Sequence, residues 1–277
     1  MVQSKPSVSI IVPANNEAGY IEQCLNSLLN QDETCSYVEV IVSANACTDG
    51  TEERARAFGL RFQERGWELK IISNPEPGKI GAIRRGEAVA KAETMVYIDA
   101  DVTCDAELIG QLAKSLDTSR ARYASGTFTL MPAQSLISRI YGKFWVELPF
   151  LSSSAVGIGL YAVNKAGRSR WGAFPEIISD DTFVRLTFKQ EERIQVSARY
   201  YWPLAEGFFR LVRVRIRQNK GVSELKSIYP NIFENENKTD KSVIKLIIRR
   251  PLAFCVYAAV QISVSFSSKD VNWNRGR

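Results

Sequence analysis

Met95-Val96-Tyr97-Ile98-Asp99-Ala100-Asp101 reads as a short apolar strand that runs straight into two carboxylates spaced one residue apart. A carboxylate pair at a strand end has no packing role, and two such charges held close repel each other unless something positive lies between them. A hard divalent cation with oxygen ligands is the usual answer. Asp-x-Asp is frequent by chance, so its weight comes from the segments around it.

Upstream the chain alternates strand and helix. Val8-Ser9-Ile10-Ile11-Val12 is a β-branched run closed by Pro13, which cannot continue a central strand. Ile21, Cys24, Leu25, Leu28 and Leu29 then recur at helical spacing. Val38 to Val42 is a second apolar strand, and Asp49-Gly50-Thr51 precedes a helix carrying Ala55 and Phe58. Leu69-Lys70-Ile71-Ile72 is a third strand. Pro75, Pro77 and Gly78 mark a loop before a helix with Ile80, Ile83 and Ala88. This alternation predicts an α/β fold with a mainly parallel, two-sided sheet.

Ligands of such sheets bind beyond the carboxyl ends of the strands. The loops predicted there carry Asn15-Asn16-Glu17, then Asn45 with Asp49, then Gly78-Lys79, then Asp99 and Asp101. A lysine after a glycine turn, close to a cation-binding pair, suits a phosphorylated ligand. Neither G-x-G-x-x-G after the first strand nor G-x-x-x-x-G-K-[ST] is present, which weighs against dehydrogenase and P-loop ATPase readings.

In order and spacing these segments resemble the glycosyltransferase family 2 enzymes of the GT-A fold. Val8 through Glu17 is similar to the family's opening strand, and Val40 through Thr51 to its second nucleotide-binding segment. Asp99-Ala100-Asp101 is similar to its metal motif, and Ile178-Ser179-Asp180-Asp181-Thr182 to its late acidic motif. The resemblance implies a Rossmann-like, mainly parallel mixed sheet flanked by helices over residues 1–221. Its nucleotide-sugar half would run over 1–104 and its acceptor half over 105–221, followed by a basic and apolar helical extension over 222–277.

Carried over residue by residue, the resemblance implies roles. Pro13, Ala14 and Glu17 would line the nucleoside pocket, with Asn15 and Asp49 in the same donor-binding set. Asn45 sits where many relatives place an aspartate that faces the base. An uncharged amide can both accept and donate, so the base stays open between a UDP- and a GDP-sugar. Lys79 and Arg84 or Arg85 would approach the diphosphate. Asp99 would border the ribose and the metal, and Asp101 would ligate Mn²⁺ or Mg²⁺ directly. Asp181, beside Asp180, would be the base that activates an acceptor hydroxyl in an inverting reaction.

Downstream, Arg122 to Leu130 and Ala155 to Val163 read as strands, and Ser153 to Gly159 is small and glycine-rich. Trp171, Gly172 and Phe174 read either as an apolar sugar platform or as ordinary core aromatics. Residues 193–221 hold Arg193, Arg199, Arg210, Arg213, Arg215, Arg217 and Lys220 against Glu206 alone, a local excess equal to the formal net charge of +6. On a helix Arg210, Arg213 and Arg217 share a face, which reads as a phosphate or acceptor patch or as a solubilising surface. The Q-x-x-R-W signature of processive family members is absent, with Val214 where its glutamine would stand, which favours single-sugar transfer. Glu234 to Lys241 is a polar linker. Leu252 to Phe266 is an apolar run after Lys241, Lys245 and Arg249-Arg250-Pro251. It is shorter than the roughly 20 residues of a membrane span and suits a helix lying at the interface, or one packed on the domain.

Five cysteines (24, 35, 47, 104 and 255) without C-x-x-C suit a reducing compartment and no structural zinc. No histidine is present, so proton transfer falls to carboxylates. Met1 to Ser7 is polar and shows no signal peptide. The expectation is a metal-dependent enzyme that moves one sugar from a nucleotide sugar to a glycan or lipid-linked acceptor. It would work in the cytoplasm, peripheral to the membrane and against an anionic surface, with no nucleic-acid partner. Rival readings are transfer to a polyprenyl phosphate, a sugar-1-phosphate nucleotidylyltransferase (whose glycine-rich opening loop is missing) and a non-catalytic basic membrane-binding relative.

Overall fold

The computed structural model describes residues 7–34, 37–151, 155–236 and 243–267. Cys35, Ser153, Ser154, Lys241, residues 237–241 of the polar linker and the N-terminal residues 1–6 lie outside the described residues. The first half alternates β1 (Val8–Ala14), α1 (Ile21–Leu29), β2 (Val38–Asn45), α2 (Thr51–Arg56), α3 (Gly59–Glu64), β3 (Glu68–Asn74), α4 (Lys79–Val89) and β4 (Thr94–Ile98). The second half runs β5 (Thr103–Cys104), α5 (Leu108–Leu116), β6 (Tyr123–Leu130), α6 (Leu136–Trp145), β7 (Leu160–Val163), α7 (Lys165–Arg168), α8 (Asp180–Leu186) and β8 (Arg193–Trp202). Three helices follow, α9 (Phe208–Ile228), α10 (Val243–Arg249) and α11 (Pro251–Phe266).

The strands form one sheet in the order β3-β2-β1-β4-β7-β6-β8-β5. β3, β2, β1 and β4 are parallel, β7 is antiparallel to both of its neighbours, and β6 pairs parallel with β8. This is the expected mixed sheet, parallel over the four strands β3, β2, β1 and β4. Every residue of β1 is buried, because helices cover both faces. Ile10, Val12 and Ala14 pack under α1 with Ile21, Cys24, Leu25 and Leu28, while Ile11 packs on the other face with Ile80 and Ile83 of α4. Gly86 lets α4 sit this close, since a Cβ there would lie 2.7 Å from Ile11 Cγ2.

Three expectations are corrected. Pro13 does not close the first strand, which continues to Ala14 with Pro13 opposite Ser43 of β2. Pairing with β4 ends at Ile11↔Tyr97, so Pro13 lies where the strand is paired on one side only and its missing N–H costs little. The segment 155–159 is not strand: Ala155, Gly157 and Gly159 have positive φ, and β7 begins at Leu160. The division expected after residue 221 falls inside α9, and α10 and α11 share a hydrophobic cluster with α6 and α9.

Gly157 marks the tightest approach in that loop. Its φ is +72°, and an added Cβ would fall 1.7 Å from the hydroxyl oxygen of Tyr123, itself fully buried. Gly157→Ala is expected to lower unfolding stability by about 2–4 kcal/mol, combining left-handed strain with overpacking. A urea titration read as a shift of midpoint at unchanged slope checks this.

Candidate functional site

Beyond the carboxyl ends of β1, β2 and β4 lies a basin of about 390 Å³. Pro13, Glu17 and Asn45 line one side, Gly78, Lys79, Asp99 and Asp101 the floor, and Ser179, Asp180 and Asp181 the far wall. Trp202, Val214, Arg217 and Gln218 close it from β8 and α9. Segments distant in sequence thus meet where the sheet's topology predicts a ligand.

The floor is held electrostatically. Lys79 follows Gly78, whose φ of 130° favours glycine, and opens α4. Its Nζ lies 2.8 Å from Asp99 Oδ1 and 2.9 Å from Asp180 Oδ1. Burial acts to lower the Lys79 pKa, but the charges of Asp180, Asp99 and Asp181 outweigh it and hold the ammonium well above its ordinary value. Asp99 is fixed through its backbone N–H, which donates to Gly159 O at 2.8 Å. Asp101 is only 3% exposed.

Asp180 and Asp181 differ although they are neighbours at the start of α8. Both oxygens of Asp180 are occupied: Oδ1 by Lys79 and Oδ2 by the hydroxyl of buried Tyr161, which donates at 3.0 Å. Asp181 Oδ1 accepts from the Thr182 N–H at 2.6 Å. Shielding from water pushes the Asp181 carboxyl up to about 6, the Asp180 charge adding to this and Lys79 opposing it. A carboxylate tuned in this way is suited to accept a proton near neutral pH.

At the other end of the basin Asn45 is 1% exposed, and its amide Nδ2 has no hydrogen-bond partner among the described residues. A buried donor without a partner is costly, and a polar ligand would satisfy it. Asn15 and Asp49 act behind this wall. Asn15 Nδ2 donates to the carbonyls of Asn45 and Ala46 at 2.6 and 3.0 Å. Asp49 accepts from the Thr51 and Ala18 N–H groups, and Thr51 Oγ1 accepts from the Glu17 N–H at 2.7 Å. Ala14 is fully buried beneath them.

Other anticipated residues lie elsewhere. Arg84 donates from Nε and Nη2 to Phe174 O and from Nη1 to Glu176, so it ties down the loop ahead of the acidic pair rather than facing the floor. Arg85 pairs with Glu76. Trp171 packs edge-on against Phe174, Phe183 and Phe188 and is absent from the basin's lining. The arginines of 193–221 do not form one patch. Arg193 is buried on β8, donating to Phe188 O and Asn235 O, and Arg199 is on the same strand. Arg210 and Arg213 are exposed on α9, and Arg217 lines the basin. Two contributors were not anticipated. Tyr161 gives no sequence signal, since it reads as an ordinary strand aromatic. Gly221 does, because glycine inside a helix costs about 1 kcal/mol and marks a close approach. Its added Cβ would lie 2.2 Å from Ser179 Oγ, beside the acidic pair.

Among the described residues no group of three or more His, Cys, Asp or Glu side chains is arranged to hold a metal. Asp99 and Asp101 offer hard oxygen donors from two carboxylates, which fits a cation that completes its shell with phosphate oxygens and water, as Mg²⁺ does.

Comparison with known proteins agrees with this geometry. Residues 9–138 match the family model for glycosyl transferase family 2. Glycosyltransferase AglE of Haloferax volcanii is 33% identical over 102 residues, covering 36% of this chain and 32% of that protein. The uncharacterized glycosyltransferase EpsJ of Bacillus subtilis is 26% identical over 146 residues, covering 50% of this chain and 41% of the relative. The matched segments thus span less than half the length of these curated relatives. Among solved structures, mannosyltransferase PcManGT from Pyrobaculum calidifontis, in complex with GDP-Man and Mn²⁺, superposes with a TM-score of 0.60. It is 21% identical, over 96% of this chain and 77% of that one. TarS residues 1–349 from S. aureus, in complex with UDP, give a TM-score of 0.53 at 16% identity, over 93% of this chain and 88% of that one. Residues 9–138 thus resemble a glycosyl transferase family 2 domain, and the sheet and its flanking helices share the GT-A fold of these solved glycosyltransferases.

Proposed function

We propose that the protein transfers a single sugar from a nucleoside-diphosphate sugar to an acceptor hydroxyl, with inversion, in glycan or glycolipid synthesis at a membrane surface. The observation that carries this reading is that one basin holds the unpartnered amide of Asn45, a carboxylate pair with a lysine, and a separately tuned acid. The nucleoside lies against Pro13, Glu17 and Asn45, whose amide pairs with the edge of the base. Asp99 and Asp101 would hold Mn²⁺ or Mg²⁺, which when bound supplies Lewis-acid stabilisation of the departing diphosphate. PcManGT, solved with GDP-Man and Mn²⁺, lends support to such a donor and cation.

The chain's own groups do the rest. As the glycosidic bond to the diphosphate breaks, negative charge grows on the leaving oxygen beside the Lys79 ammonium. Asp181 takes the proton of the acceptor hydroxyl as its oxygen attacks the anomeric carbon. Asp180, clamped by Lys79 and Tyr161, keeps the start of α8 in register and leaves Asp181 as the acid free to accept. Arg217 and Gln218 border the space for the acceptor.

Three outcomes test the reading. UDP or GDP with Mn²⁺ is expected to raise the melting temperature, by up to about 2.7 kcal/mol of stabilisation at a hundredfold excess over Kd, and Asp101→Ala is expected to abolish the response. No response to any nucleotide in a differential scanning assay would count against an intact donor site.

With the Asp181 carboxyl at about 6, kcat/KM is expected to be level above that pH and to fall below it, because the protonated acid cannot accept a proton. Asp181→Asn should lower turnover by about a hundredfold or more while the nucleotide response persists. Nearly full turnover with no acidic limb would point instead to an acceptor that is already ionised, such as a polyprenyl phosphate.

Tyr161→Phe removes a single hydrogen bond to Asp180 and should cost about tenfold in kcat, with nucleotide-induced stabilisation unchanged. An unaltered kcat in the same steady-state assay would remove Tyr161 from the positioning network.

A further inference from the structure

Among the described residues, six of the thirteen exposed large apolar side chains lie on α10 and α11. α11 contains no charged residue, and its buried side, Ala253 and Val260, packs in the cluster shared with α6 and α9. Its outward positions recur at spacings of three and four: Leu252, Cys255, Ala259, Ile262 and Phe266 are all exposed. Phe266 is 87% exposed, Leu252 66% and Ile262 56%. A helix packed on one side, with an apolar stripe facing water on the other, is an interaction surface. α10 continues it with Ile244 and Ile248, exposed like their neighbours Lys245 and Arg249.

Charge selects the partner. Residues 243–267 include Lys245, Arg249 and Arg250 and no acid. The neighbouring helices add exposed Arg139 and Lys143 on α6 and Arg210 and Arg213 on α9. Glu147 on the adjoining segment is already paired with Arg249 and Arg250. A twofold contact with a second copy would set these like charges against one another, whereas anionic headgroups neutralise them. A 16-residue helix is about 24 Å long, short of a hydrocarbon core of about 30 Å, and no described helix is long and apolar enough to cross a membrane.

We propose that α10 and α11 form a docking surface for an anionic lipid bilayer, with Leu252, Ile262 and Phe266 entering the acyl boundary and Lys245, Arg249 and Arg250 meeting the headgroups. This deepens the preceding reading by delivering the basin to a membrane-borne acceptor. Its test uses no turnover, so the two can fail separately.

In a flotation assay the full chain is expected to rise with vesicles of equimolar phosphatidylcholine and phosphatidylglycerol. It should float far less with phosphatidylcholine alone, and less again as salt is raised. Ile262→Glu combined with Phe266→Glu should weaken binding by about tenfold or more, and Lys245→Glu should weaken it on anionic vesicles only. The melting temperature and the response to nucleotide with Mn²⁺ should stay as in the parent. If the double variant melts early, Leu252→Gln carries the same test at the other end of the stripe. Undiminished flotation of these variants, or a parent chain indifferent to anionic vesicles, would overturn the proposal. So would a dimer in light scattering that the double variant breaks, which would assign the face to a second copy.

Discussion

The carboxylates of Asp99, Asp101, Asp180 and Asp181 face one basin, and like charges gathered away from bulk water repel unless a cation sits among them. Lys79 supplies that charge from within the chain. Its ammonium bridges Asp99, at the end of β4, to Asp180, at the start of α8, so two halves of the fold meet through one side chain. The bridge depends on Gly78, which turns the chain through a conformation that other residues rarely adopt and points α4 into the basin. In the proposed reaction the same ammonium meets the charge of the diphosphate, so one side chain both joins the two halves of the fold and faces the donor.

Below that bridge the acid pair rests on aromatic rings. Tyr97 and Tyr161 are register partners on β4 and β7, and their rings stack at 4.8 Å, with Tyr123 of β6 at 6.3 Å from Tyr161. Tyr161 hands its hydroxyl to Asp180, and Tyr97 hands its own to Glu87. Glu87 accepts from Arg168, whose guanidinium also bonds Trp171 O and Gly172 O and lies 4.9 Å from the Trp171 ring. Trp171 therefore belongs to the support that fixes the loop leading into the acids. Breaking the Tyr161–Asp180 or Tyr97–Glu87 bond would strand a buried carboxylate contact, so this part of the network has little freedom to rearrange.

The first half of the chain was legible because its determinants are local. β-branched runs, helical periodicity and a polar residue after each strand together predicted β1 to β4, and the stripe Ile21, Cys24, Leu25, Leu28 and Leu29 is the buried face of α1. The second half resisted for the opposite reason. Residues 155–163 have strand-like composition, but 155, 157 and 159 take left-handed backbone, and Tyr123 and Trp202 fill the space a side chain at Gly157 or Gly159 would need. The run of arginines looked like one feature in sequence, yet a strand and a helix divide it, and Arg193 is spent on backbone carbonyls. Arg84, similarly, could be placed near the floor by spacing alone, but its direction was set by Phe174 and Glu176, ninety and ninety-two residues downstream. Tyr161 illustrates the limit: its role comes from a partner that only the folded chain brings within reach.

α9 is where basin and surface become one mechanical unit. Val214, Arg217 and Gln218 line the basin, while Leu211 packs into the cluster beneath α11. One turn beyond Arg217, Gly221 brings the helix backbone against Ser179, and Glu224 accepts from the Ile178 N–H at 2.9 Å, both immediately ahead of Asp180. Close-packed interiors transmit displacement because they contain little free volume to absorb it. With no Cβ at position 221, the α9 backbone packs directly against the segment that leads into the acids. The geometry that joins the apolar face to the chemistry is therefore a single helix held by contact on both sides.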